Sequence, residues 1–106
     1  MARIARIGRE GEVAAGIVKN TTRIPSATGT AAYRVPDGLT KGLLTEVKNY
    51  SGTLRLTNQI KDFLVYAKNT KRTFELVVGK DTKFTKPLQE LIDLSLIHIS
   101  EPTRQE

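Results

Sequence analysis

The chain contains no cysteine. Disulfides and thiolate metal sites are therefore excluded. Its single histidine, His98, lies near the C-terminus, which rules out a histidine-activated nucleophile triad or a histidine zinc site. No apolar run is long enough to span a bilayer, and the N-terminus carries no signal-peptide pattern. Acidic residues are outnumbered, 11 against 17 basic ones, for a formal net charge of +6 and a pI near 9.8. That balance favours a polyanionic partner, most simply nucleic acid, and gives no sign of a membrane partner. At 106 residues there is room for one small domain, with a core only just adequate for independent stability.

Along the chain, Arg3 to Lys19 is rich in Ala, mixes apolar and charged residues, and is predicted helical. Asn20-Thr21-Thr22 breaks it, and Pro25 to Thr30 reads as a turn-rich loop. Ala31 to Val35 is predicted extended, because Pro36 biases Val35 away from helix. Leu43 to Tyr50 is rich in β-favouring residues and reads as a strand. Ser51-Gly52 is a break. From Thr53 to Asn69 the spacing of Leu56, Ile60, Phe63 and Ala67, thickened by Leu64, is helical. Thr73 to Val78 reads as a buried strand and Lys80 to Lys86 as a basic loop. Pro87 is placed to start a last helix through Asp93. The expected class is α/β, in the order α-β-β-β-α-β-α, with a mixed central sheet flanked by helices.

Three charged residues stand out: Asp37 and, nine residues on, Glu46 with Lys48. Side chains two apart on a strand share a face, so Glu46 and Lys48 point one way and Val47 the other, towards a core. If Lys41-Gly42 forms a two-residue turn, Thr40 pairs with Leu43 and Asp37 stands opposite Glu46. Lys41 suits a positive-φ turn poorly, and a longer loop would shift that register. Directly opposed carboxylates repel each other unless something positive sits between them. A hard divalent cation with oxygen ligands suits the gap, and Mg²⁺ binds through one or two carboxylates while keeping waters. Lys48 could orient a metal-bound water or stabilise charge on a phosphate. Plainer readings exist for each residue. Asp37 between Pro36 and Gly38 is also an ordinary turn aspartate, and Glu46 with Lys48 is also a solvated ladder on a strand face. Lys80, Lys83 and Lys86 read as soluble surface more readily than as a phosphate-contacting loop. Tyr33 and Phe84 could stack on bases, though buried packing is the commoner use of an aromatic.

The pattern Pro36-Asp37, eight residues, then Glu46-Val47-Lys48 resembles the PD-(D/E)xK signature of the restriction-endonuclease fold. Three longer runs extend the resemblance: Arg23 to Thr40, Leu44 to Asn49, and Thr57 to Phe63. Together they resemble a restriction-endonuclease-fold toxin domain of bacterial polymorphic toxins, including Rhs-repeat proteins, over about Gly8 to Ile92. The last thirteen residues, Leu94 to Glu106, resemble a translated sequencing-adapter read-through. The expected organisation is therefore a nuclease-like domain over 1–93 and a non-native tail over 94–106. Removing the tail takes away one base and two acids, so the basic excess survives. Domains of this kind are usually parts of much longer chains, so the sequence leaves open whether Met1 is a natural start.

The resemblance implies a restriction-endonuclease-like core and a Mg²⁺-dependent endonuclease, with Mn²⁺ as a substitute and DNA rather than RNA as substrate. Asp37 and Glu46 match the metal-binding acids, the Val47 backbone carbonyl a further ligand, and Lys48 the motif lysine. Gln59 matches a polar position on the following helix. Its spacing from Leu56 and Phe63 also puts it on the inward face, where a polar group needs a partner. For a further acid, the resemblance falls on Glu12, whereas helical phase against Ala14, Ile17 and Val18 prefers Glu10. A toxin of this kind implies delivery from the cell as part of a larger protein and action in the target-cell cytoplasm. It also implies a cognate immunity protein, expected to be acidic. A housekeeping repair or recombination nuclease and a non-catalytic nucleic-acid-binding module are the alternative functions.

Overall fold

A computed structural model describes residues 20–48 and 52–101. Its elements run β1 (Gly38–Leu39), β2 (Leu43–Lys48), β3 (Gly52–Leu54), α1 (Asn58–Asn69), β4 (Thr73–Val78), β5 (Thr82–Phe84), α2 (Lys86–Asp93) and β6 (His98–Ser100). The helix expected over Arg3–Lys19 lies outside the described residues. Strands β1, β2, β4 and β6 form one sheet in that spatial order. The first pair is antiparallel and the other two are parallel, so the sheet is mixed as expected. A parallel pair, β3 and β5, forms a second small sheet.

The register between β2 and β4 pairs Leu44 with Phe74, Glu46 with Leu76 and Lys48 with Val78. Because side chains alternate, all six lie on one face. Helix α1 lays Ile60, Phe63 and Ala67 on that face, and Leu88 of α2 and Ile97 join the same cluster. Phe63 meets Phe74 edge to face, centroids 6.1 Å apart, the geometry the ring quadrupoles favour. Glu46 and Lys48 thus continue a row that begins in the core with Leu44. Val47 does not enter that core. It is half-buried on the opposite face, paired with the buried Val77, while the described helices pack on the Leu44 side. On that opposite face Glu75 accepts hydrogen bonds from Thr45 Oγ1 at 3.3 Å and Ser100 Oγ at 2.9 Å.

Local chemistry sets the helix ends. The Thr57 hydroxyl caps α1 by accepting the Ile60 N–H at 3.2 Å, and Lys71 leaves the helix in the left-handed region. Leu56 therefore precedes the helix, and the stretch expected to be helical from Thr53 instead begins with β3. Pro87 stands in the first turn of α2, as expected. Ala31 to Val35 is not a strand. Its bends are interrupted only by a bridge in which Arg34 and Ile24 exchange backbone hydrogen bonds of 2.8 and 2.9 Å. Tyr33 and Val35 are exposed there, so no apolar alternation holds a strand. The expected loop at Lys80–Lys86 contains β5, which finds a partner in β3; Lys80, Lys83 and Lys86 are all exposed. Within the expected tail, His98–Ser100 pairs along β4 as β6, and Ile97 is buried.

Phe63→Ala empties the centre of the interface between α1 and the sheet. We expect it to lose about 3–5 kcal/mol of stability in urea unfolding; a loss under about 1 kcal/mol would contradict this placement of the core.

Candidate active site

The hairpin determines the site. Thr40 N–H donates to Leu43 O at 2.9 Å, and Leu43 N–H to Thr40 O at 3.5 Å. The connection is therefore the two residues Lys41-Gly42. Neither takes a positive φ, so Lys41 is not strained there. Gly38 pairs with Thr45 and Leu39 with Leu44. One step further, the same register sets Asp37 opposite Glu46, as the sequence predicts.

At that step side chains replace the ladder. Asp37 Oδ2 accepts the Val47 N–H at 2.8 Å. Glu46 Oε1 accepts the Asp37 N–H at 3.2 Å. Each acid thus satisfies backbone on the other's side of the pair. Asn20 pins the entry: its N–H donates to Asp37 O and its Nδ2 to Pro36 O, both at 3.0 Å. Lys48 Nζ lies 3.3 Å from Glu46 Oε2 and donates to Gln59 Oε1 at 2.5 Å. The structure therefore joins Asp37, Glu46, Val47, Lys48 and Gln59 in one cluster. Glu12 and its alternative Glu10 lie outside the described residues. Tyr33 is exposed with the Arg23 guanidinium 4.3 Å over its ring, whereas Phe84 packs against the core.

Glu46 is only 5% exposed. Burial, and next the Asp37 charge, push its carboxyl up from 4.5 to about 7, against the pull of Lys48 and of the Asp37 N–H. One lysine therefore does not balance two acids. Positive charge added between them would relieve the site. Asp37 Oδ1 accepts no hydrogen bond among the described residues, and each Glu46 oxygen keeps a second lone pair. The N–H and C=O of one strand residue leave on the same side, so the Val47 carbonyl faces the same edge as Asp37. The described residues contain no group of three or more acidic or histidine side chains able to hold a metal. Two carboxylates and a carbonyl are too few for an all-protein cage, but they fit Mg²⁺, which keeps much of its water. The cluster also lies at the carboxyl end of β2, where open α/β sheets bind ligands.

A groove of about 570 Å³ adjoins it, lined among others by Arg34, Lys48, Arg55, Thr57 and Gln59. Arg34, Arg55 and the buried Asp62 behind Arg34 were not candidates from sequence. Asp62 sits about 200° round α1 from Ile60, a position that reads as solvent-facing unless a loop is known to cover it.

The mixed sheet, its helices and the paired acids at one strand end define a restriction-endonuclease-like α/β domain. Residues 8–88 match the family described as restriction endonuclease fold toxin 7. The chain belongs to that family, and so is a toxin domain of nuclease type. No curated protein and no solved structure matches it.

The raised Glu46 carboxyl has a consequence for stability. Between pH 4.5 and about 7 the folded site holds a proton that the unfolded chain has released. Stability of the metal-free protein is therefore lost as pH rises through this window, on the order of 3 kcal/mol in all. Thermal melts in EDTA across the window should show a steeper loss for the parent than for Glu46→Gln. Parallel profiles for the two would contradict the shift.

Proposed function

We propose that this domain is a metal-dependent endonuclease that cuts DNA, acting as the toxin part of a larger polymorphic, Rhs-type protein. The observation that carries the reading is the pair of opposed carboxylates, with Glu46 buried and under-neutralised beside Lys48. Asp37, Glu46 and the Val47 carbonyl would hold Mg²⁺, or Mn²⁺ in its place. Glu12, or else Glu10, is a further acid for the same ion. When bound, such an ion polarises a phosphate and lowers the pKa of a coordinated water, which supplies the nucleophile for in-line displacement at phosphorus.

The chain's own residues do the rest. The reciprocal hydrogen bonds between Asp37, Glu46 and the two backbone N–H groups hold the acids in place before substrate arrives, so little reorganisation remains for the reaction itself. Gln59 directs the Lys48 ammonium, which would orient the attacking water and offset charge gathering on the phosphate oxygens. The P–O bond to the leaving group breaks as the new one forms. The basic balance of the chain would hold the backbone without much sequence choice.

Family membership supports delivery within a larger toxin, action in the target-cell cytoplasm and protection of the producer by an immunity protein. An acidic inhibitor suits the net charge of +6. No helix among the described residues is long and apolar enough to cross a membrane.

Plasmid nicking tests the chemistry. Wild type should nick supercoiled plasmid with Mg²⁺ or Mn²⁺ and stop in EDTA, and Glu46→Ala should abolish the activity. Lys48→Ala should lower kcat by about 10²–10³-fold. Undiminished cutting by Glu46→Ala, or none by wild type with either ion, would refute the proposal; cleavage of RNA alone would replace DNA as the substrate.

A further inference from the structure

Among the described residues, Asp62 is a fully buried acid that bonds to neither of the paired carboxylates. It lies on the side of α1 away from the sheet, under the segment between Arg23 and Arg34. Its carboxylate accepts from Ser26 Oγ at 2.6 Å, Thr28 N–H at 2.7 Å and Arg34 Nε at 2.8 Å. Burial alone would raise this carboxyl, but these bonds outweigh it and bring it down to about 2, so Asp62 stays charged at any ordinary pH. Arg34 Nη2 donates onward to Thr30 Oγ1 at 3.0 Å. Its Nη1 makes no hydrogen bond among the described residues, and the side chain remains 19% exposed at the groove wall. Two of the three guanidinium nitrogens are thus held by Asp62 and Thr30.

The groove itself points to an anion. Arg34, Lys48 and Arg55 line it, and among the described residues no acidic side chain does. Arg55 is exposed and makes no ion pair or hydrogen bond among the described residues. The first turn of α1, with Thr57 and Gln59, opens onto the same space and brings the positive end of the helix dipole. A guanidinium whose plane is fixed in advance suits phosphate oxygens, because little side-chain freedom is lost on binding. Pinning the loop alone would explain Asp62 and its partners. It would not explain why the pinned cation shares a groove with Lys48 and Arg55, with no acid among its described lining residues.

We propose that this groove holds a backbone phosphate neighbouring the one that is cut. Arg34 and Arg55 are its contacts, and Asp62 is the positioning residue for Arg34. The proposal rests on the nuclease reading for the identity of the phosphate. Its test uses binding, so the two can fail separately.

Anisotropy titrations of a 20-base-pair duplex DNA onto the Glu46→Gln protein in EDTA, from about 50 to 300 mM salt, give affinity without cleavage. Arg34→Gln and Arg55→Ala should each weaken binding about 8-fold at 0.1 M salt, and each should flatten the log–log salt slope by about 0.9, the value for one phosphate contact. Asp62→Asn should weaken binding similarly, and should add nothing further in the Arg34→Gln background, as coupled residues behave. A purely structural role for Asp62 predicts additive losses and an unchanged slope. Arg55→Ala removes no hydrogen bond or ion pair among the described residues, so its melting temperature should hold and its slope decides the matter if the buried variants fold poorly. Parental slopes in Arg55→Ala and in any folded Arg34→Gln would overturn the proposal, as would absence of duplex binding by the Glu46→Gln protein. Plasmid nicking by wild type would meanwhile leave the nuclease reading standing.

Discussion

Two like charges facing each other across a hairpin are the constraint on which the site depends. The two-residue connection Lys41-Gly42 leaves one pairing open to β1 and β2, and that pairing places Asp37 against Glu46. Nothing apolar is gained there. The acids persist because each takes a backbone N–H that the ladder no longer satisfies, and because Lys48 offsets part of the charge. What is left over appears as a Glu46 carboxyl that resists ionisation near neutral pH. Sites that work against local stability in this way are where function tends to reside.

Helix α1 carries both halves of the molecule's chemistry. One side presents Ile60, Phe63 and Ala67 to the sheet and secures the row of β2 side chains that ends in Glu46 and Lys48. The other side presents Asp62 to the preceding loop and clamps Arg34. Its first turn supplies Gln59 to Lys48. Lys48, the groove cations and the core are therefore referred to one rigid element, which limits how far they can drift relative to one another. Rigid support of this kind is what positioning of reacting groups requires.

Much of this was legible in the sequence, for identifiable reasons. Given a two-residue turn, period-two alternation sets Asp37 opposite Glu46 with Lys48 on the same face, and the family resemblance with helical spacing adds Gln59. Thr73–Val78 stands out as a run of β-favouring residues, and Pro87 marks the start of α2. Strands β3 and β5 were missed because three residues are too few to show a period, and because each exists only through pairing with the other. Alternation also puts Val47 on the face opposite Glu46, where it pairs with the buried Val77. Asp62 and Arg34 were missed because an acid on the outer side of a helix reads as solvated. Only the loop folded over it makes it buried.

The central claim is that Asp37 and Glu46 share one divalent cation. Crystals grown with Mn²⁺ and measured at the manganese absorption edge test it directly. An anomalous peak about 2.1 Å from a carboxylate oxygen of each residue, with the Val47 carbonyl also facing it, is the predicted result. A site filled only by water, or a peak bound elsewhere on the protein, would contradict the account.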